Sequence, residues 1–551
     1  MQALLSGCGD VKSATPIART PQPALPGRGW FLAALLLVAC IYWPLLDYPY
    51  IQDDWTWMSF FQQHSALEAI RLILDPFDKL FYRPLGALYR FALHGIFGLD
   101  AFAHHLMAAL LLAGAMLALA RVVTRLTADA FAGRVAGLAY GGMLSIHLDP
   151  MLWLAGINDL GAALCVLLAV DATLARRRRT AGLLMLAAIL FKEAAAFSLL
   201  LIPLLALLDP DTRQRPWCRQ LGLLLPWLPS IATLSFVRSV AKSPLELPQS
   251  HPYLFDIAWQ VPLQGSTTYL QWVLEALFPG IAAARWFATT FLWLSAHPGI
   301  VLAMFLLILG ALTIVARSRL LAPPAGGEPF PAAPWVLATW IALGLMPVLL
   351  MRNHTYRYYL TYSIAPLLGL LVWLLAAGAR RLLGGSPARL ILLTLVASLC
   401  AAAAINCRRW EAAALTAIPM SGTNDLLRRG RITGIVRPGL TRLHPDPPPE
   451  SVFVFDLPVW SFGRQSGPQS WYHRQDLGVL ALEEVVADAQ GFTTARLFTT
   501  QIEQALGSAS GARAGRDETA HRLDPARTFF LSLEGNQLVE HSAAEILARR
   551  R

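Results

Sequence analysis

The chain has 551 residues, 56% of them hydrophobic and 15% charged, and its mean hydropathy is +0.49. That composition excludes an ordinary soluble protein of this size and makes a lipid bilayer the solvent. The formal charge of +10 does not mark a nucleic-acid partner: the basic residues sit mostly in short loops between apolar stretches, where they report membrane orientation.

Residues 1–29 are polar and proline-rich and read as a disordered cytoplasmic tail. Its Leu5–Cys8 stretch resembles a lipoprotein cleavage site, but neither a basic start nor an apolar region precedes it, so a lipid anchor is not expected. From Trp30 to Ile405, apolar stretches of about 15–20 residues recur, each about long enough to cross a hydrocarbon core as a helix. Arg28 precedes the first of these, Trp30 to Leu46, which therefore exits to the periplasm. Arg121, Arg125 and Arg134, then Arg176 to Arg179, then Arg213, Arg215 and Arg219 mark successive cytoplasmic loops. Arg317 with Arg319, and Arg380, Arg381 and Arg389, mark the last two. Threading spans between them gives about 11 crossings, and two ambiguous stretches, Pro84 to Leu99 and Leu263 to His297, widen the range to about 11–13.

The spans Ala181 to Phe191 and Ala194 to Leu208 are short, as in helices that end in a protein-lined cavity, and Lys192 and Glu193 lie between them. Beyond Ile405, residues 406–551 are less apolar and more charged and form a separate domain, placed in the periplasm by the same count. Within it Val452 to Leu457 reads as a buried strand, Leu482 to Gln490 as a helix, and Thr528 to Val539 as a hairpin turning at Gly535 and Asn536. A small α/β fold is the expectation. The six cysteines show neither zinc-site nor disulfide spacing.

Every group that could carry chemistry falls on the periplasmic side of this topology. In the first periplasmic loop, residues 47–83, Asp53 and Asp54 are adjacent carboxylates whose repulsion raises one pKa toward the range of a base. The bland alternative is a solvated loop with Asp54 capping the following helix. Tyr82-Arg83-Pro84-Leu85 puts an arginine at a helix start, where the dipole opposes it unless an anion is near, although snorkelling to a lipid headgroup also accounts for it. His147, with Asp149 and Pro150, leads into Asn158 and Asp159 at the start of a returning helix, as cavity-lining or as hydrogen-bonded packing groups. Lys192 and Glu193 are either a structural ion pair or ligand contacts. His354, Arg357 and Tyr358 belong to a basic, aromatic loop suited to phosphate.

In order and spacing these pieces resemble the GT-C superfamily of polyprenyl-phosphate-sugar-dependent glycosyltransferases. They are most similar to bacterial relatives of the transmembrane-and-tetratricopeptide protein O-mannosyltransferases, with some likeness to the aminoarabinose transferases of lipid A. The resemblance covers about residues 30–405 and is carried by Asp53-Asp54, Tyr82-Arg83-Pro84-Leu85, His104-His105, His147 to Asp159, Lys192-Glu193 and Arg357-Tyr358-Tyr359. Two features depart from it. The C-terminal domain lacks the helical repeats of the mannosyltransferases, and His147-Leu148-Asp149-Pro150 stands where the family has His-Pro-x-His.

The resemblance implies an all-α polytopic membrane fold of GT-C type in the inner membrane. It also implies a polyprenyl-phosphate sugar donor and an envelope glycan, lipid or protein as hydroxyl acceptor. Asp53 or Asp54 would be the base of an inverting displacement, and Arg83, Arg357, Tyr358 and Lys192 would hold the donor phosphate. Glu193, His147, Asn158, Asp159 and His354 would line the cavity. Some relatives place a divalent metal at the acidic pair, but two aspartates alone do not supply a full oxygen shell, and no metal is assigned. The rival readings are a transporter or flippase of lipid-linked sugars, or an inactive envelope scaffold.

Overall fold

The computed structural model describes residues 26–77, 79, 81–208, 225–240, 253–256, 258, 260–278, 333–415, 422–488, 491–494 and 522–550. The first expected span is helix α1 (Arg28–Leu46). Two short helices follow, α2 (Asp53–Gln63) and α3 (Ala66–Leu74), the second capped by Ser65, whose hydroxyl accepts from the Glu68 amide at 3.4 Å. Helix α4 (Pro84–Phe97) starts on its proline, which needs no hydrogen-bond partner there. Its 14 residues make it too short to cross a bilayer unaided, since a span takes roughly 20.

Helices α5 (Ala101–Thr127), α6 (Ala130–Gly141), α7 (Leu144–Leu152), α8 (Ile157–Leu174) and α9 (Arg178–Phe191) follow. The expected single span Ala194 to Leu208 is instead a 3-10 segment, Glu193–Leu199, and a short helix, α10 (Leu201–Leu208). Beyond it lie α11 (Leu228–Val240), α12 (Gln260–Leu277), α13 (Ala333–Leu349), α14 (Thr361–Leu383) and α15 (Gly385–Ala412).

Among the described residues, five helical stretches are long and apolar enough to cross a membrane: Arg28–Leu46, Ala101–Thr127, Leu154–Leu174, Arg357–Leu383 and Gly385–Ala412. Leu225–Val237 and Ala333–Leu349 are shorter apolar helices. The protein is therefore a membrane protein. Expected spans and loops within 209–224, 241–250 and 279–332, and most of the expected tail, lie outside the described residues.

The chain divides into two compact units. One comprises Met1–Trp43, Met107–Pro150 and Ile157–Cys407, the other Pro44–Leu106, Met151–Gly156 and Arg408–Arg551. In the first, α8 packs on α9, and α14 packs on both α13 and α6. Two of its buried acids are ion-paired at its basic residues: Asp171 meets Arg121 at 2.9 Å and Arg125 at 2.6 Å, and Asp129, which caps α6, meets Arg380. A lone charge at such depth would be costly, and the partners remove that cost.

The second unit holds α2, α3, α4 and the C-terminal segment, which begins with helix α16 (Gly422–Leu443). Strands β1 (Val452–Asp456), β2 (Gly478–Ala481), β5 (Thr528–Glu534) and β6 (Gln537–His541) form a sheet in the order β2-β1-β5-β6. Strand β1 runs parallel to both β2 and β5, and β6 returns antiparallel across Gly535 and Asn536, as the hairpin signal implied. Alternation along β1 sends Val454 to a core with Leu480, Phe530 and Ile546, while Phe453 faces Phe529 and His444 on the other side. Helix α17 (Ser466–Tyr472) carries the parallel crossover from β1 to β2.

The expected helix Leu482 to Gln490 is not formed. A single 3-10 turn, Leu482–Glu484, gives way to strand β3 (Val485–Asp488), paired antiparallel with β4 (Gly491–Thr494). The adjacent β-branched Val485 and Val486 favour the strand. Glu484 ends the turn, held by Arg464 at 2.5 Å.

Candidate active site

In the second unit, the acidic pair opens α2, and Gln52 rather than Asp54 occupies the cap position. Gln52 takes φ 48° and ψ −122°, a region that side-chain-bearing residues rarely enter. Both aspartates consequently lie in the first helical turn, where the helix dipole favours negative charge. Asp54 is fully buried, and its Oδ2 accepts from the Ile51 amide at 3.2 Å. Burial pushes the Asp54 carboxyl up to about 8, opposed by the Ile51 and Leu154 amides and by Arg90, and reinforced by Asp53. Asp53 is half-buried. Burial raises its carboxyl too, while Arg429 and then Arg90 draw it back down.

Arg90 was not singled out by the sequence. It lies on α4, 2% exposed, with its guanidinium 4.3 Å from the centre of the Trp57 ring of α2. Burial lowers its pKa to about 10, Asp54 and Asp53 raise it, and Arg83 lowers it, so all four charges share one electrostatic neighbourhood. The signal was available: Arg90 follows Arg83 by seven residues, two helical turns, and so lies on the same face of α4. Arg83 itself stands at the cap position of α4, over the Phe81 ring at 4.5 Å.

His104 and His105, in the second unit, hold the loop that carries the acids. The Tyr50 hydroxyl pairs with His104 Nδ1, and the ring nitrogens of His105 reach the carbonyls of Tyr48 at 2.9 Å and Met151 at 2.8 Å. Nothing in that arrangement leaves His105 for substrate chemistry.

The first unit contains the remaining residues. Lys192 is 3% exposed, is ion-paired with Asp159, and lies 5.0 Å and 4.7 Å from the ring centres of Tyr358 and Tyr359. Lys192 thus pairs with Asp159 on α8, 33 residues earlier in the chain, while Glu193 opens the 3-10 segment. Arg357 meets Glu275 of α12 at 2.7 Å and lies over Trp272 at 5.4 Å. His354 is buried among Tyr253, Tyr356 and Tyr359, with ring centres at 4.0, 4.5 and 5.8 Å. His147 is fully buried against the Tyr140 ring at 4.5 Å, and Asn158 is buried beside Asp159 at the start of α8. Sequence reasoning saw the cations of this cluster but not Glu275, whose polar helix gave no signal.

Two aspartates alone do not supply the full oxygen shell of a divalent cation. Among the described residues no group of three or more histidine, cysteine, aspartate or glutamate side chains could hold one. The guanidinium groups of Arg90 and Arg429 act on the pair from outside it, Arg90 on both carboxyls and Arg429 on Asp53.

No family model matches the chain, and no curated protein does. The solved structures similar to it include the following two. One is the oligosaccharyltransferase of Archaeoglobus fulgidus in complex with zinc and sulfate, at 13% identity and a TM-score of 0.39, over 82% of this chain and 62% of that one. The other is ArnT of Cupriavidus metallidurans bound to undecaprenyl phosphate, at 13% identity and a TM-score of 0.44, over 82% and 86%. The chain thus spans less than two thirds of the length of the archaeal protein. Neither likeness assigns an activity.

Proposed function

We propose that the chain is a membrane glycosyltransferase that moves a sugar from a polyprenyl-phosphate donor to a hydroxyl group of a cell-envelope glycan, lipid or protein. The observation that carries this reading is the asymmetry of the acidic pair. Burial raises both carboxyls: fully buried Asp54 holds its proton up to about pH 8, whereas at half-buried Asp53 the guanidinium groups of Arg429 and Arg90 oppose the rise. Two neighbouring carboxyls in unlike environments are what an acid–base site uses to separate its roles. The rest follows the resemblance read from the sequence, with the site on the periplasmic face of the inner membrane.

Asp53 takes the proton of the acceptor hydroxyl as its oxygen attacks the anomeric carbon. The bond from that carbon to the phosphate oxygen breaks on the opposite face, which inverts the anomeric centre and releases polyprenyl phosphate. Arg83 stabilises the charge that grows on the departing phosphate. Lys192 and Arg357 face carboxylates, Asp159 and Glu275, and take a secondary place as phosphate ligands. Tyr358, under the Lys192 ammonium, takes the same secondary place.

The test is to supply the purified chain, in liposomes, with a panel of undecaprenyl-phosphate hexoses and pentoses together with extracted envelope lipids. Transfer of labelled sugar to a new product, with inversion, is the expected result. Movement of the labelled donor across the bilayer without transfer would establish the transporter instead.

A further inference from the structure

We propose that the C-terminal segment is a clamp on the acidic turn, with Ser461, Gly463 and Arg429 as its positioning residues. The turn from Tyr48 to Trp55 and the segment from α16 to α17 belong to the same compact unit, and they meet through several independent contacts. The Gln52 amide donates to the Ser461 carbonyl at 3.1 Å, and the Thr433 hydroxyl donates to that same carbonyl at 2.9 Å. The Tyr48 hydroxyl donates to the Leu427 carbonyl at 2.7 Å. Trp55 meets Trp471 edge-on at 5.5 Å, and the Arg437 guanidinium lies 5.6 Å from the Trp55 ring.

Gln52 explains why a clamp is needed. Its positive φ is strained in an L-residue and persists only where surrounding contacts over-determine it. The residue is also the hinge that sets the direction of both aspartates, since α2 begins immediately after it. Arg429 holds its side chain. With the Gln52 amide oriented so that its oxygen faces the guanidinium, that oxygen accepts from Arg429 Nε at 3.1 Å. Arg429 is in turn fixed by Asp425, one helical turn earlier on α16, at 2.6 Å.

Gly463 is the point of closest approach. It has φ +69°, and a Cβ placed there would lie 2.5 Å from the Gln52 carbonyl oxygen and 2.9 Å from the Trp55 Cβ. Both the backbone conformation and the space therefore require glycine. Gly535, in the β5–β6 turn, has a similar φ of +60° but nothing within 4 Å of a Cβ. The pair separates the clamp from backbone strain alone.

The consequence for catalysis rests on the proposed transferase; the clamp itself does not. The experiment compares Gly463→Ala, Arg429→Gln, Arg429→Lys and Gly535→Ala in the full chain, reconstituted in nanodiscs. Deuterium exchange of the peptide spanning Gln52 is measured beside transfer from the undecaprenyl-phosphate sugar panel. Gly463→Ala and Arg429→Gln are expected to raise exchange in that peptide about tenfold, with kcat reduced at least about tenfold and KM held. Arg429→Lys recovers part of both, and Gly535→Ala changes neither. Unchanged exchange in Gly463→Ala and Arg429→Gln would overturn the clamp, whatever the activity. Raised exchange with unchanged kcat would overturn its positioning role. If the wild-type chain transfers nothing, the transferase reading fails and exchange alone decides the clamp.

Discussion

Asp54 and Asp53 differ in burial, and that difference makes the site testable by pH. Burial holds the Asp54 proton up to about pH 8, far above an ordinary carboxylate. The unfolded chain releases that proton near pH 4, so between about pH 4 and 8 the native state binds more protons than the unfolded state. This group's contribution to stability is therefore full below about pH 4, declines as pH rises, and is lost above about 8. Asp54→Asn should abolish that decline, so that its thermal midpoint at pH 9 lies closer to its midpoint at pH 5 than in the wild type. The same ionisation would set the alkaline limb of the transfer profile, by adding a second negative charge beside the base. In Asp54→Asn that limb near pH 8 should disappear while the acidic limb, set by Asp53, remains. Much of this was legible in the adjacent acids. The positive φ of Gln52 was not, because it is a backbone conformation.

At the scale of elements, the sequence distinguished helices from strands where the apolar period was sustained, as in α1, β1 and the β5–β6 hairpin. It failed at Leu482 to Gln490, read as a helix, where Glu484 is tied to Arg464 and two valines continue as strand. The Arg464 side chain is 7% and that of Glu484 14% exposed. Removing one partner of such a pair leaves a buried charge and costs about 3–5 kcal/mol. Arg464→Ala should therefore make the C-terminal segment markedly more sensitive to limited proteolysis, with the membrane helices still extracted intact. The Lys192–Asp159 pair obeys the same physics. Lys192→Met alone should lower the thermal midpoint more than the double change Lys192→Met with Asp159→Leu, because the double variant strands no charge. An equal loss in both would show that the pair is not the stabilising unit.

For the whole molecule, hydropathy alone identified a membrane protein, and the described residues contain five helices that meet the length and apolarity of a span. The separation into two compact units was not visible in composition, because the second unit gathers residues 44–106, 151–156 and 408–551, which are distant in sequence. Linear reading treated the C-terminal residues as an appended domain, whereas the Ser461 carbonyl accepts from Gln52 itself. Long-range contacts of this kind carry no local signal. They nonetheless bind the acidic turn to the most polar part of the chain. The central claim is that Asp53 is the base of a glycosyl transfer, and one measurement addresses it most directly: the rate of labelled-sugar transfer from a polyprenyl-phosphate donor by wild type and Asp53→Asn at equal membrane abundance. The account predicts a loss of about 100-fold or more in kcat with donor binding retained. A variant that transfers sugar as fast as the wild type would contradict it.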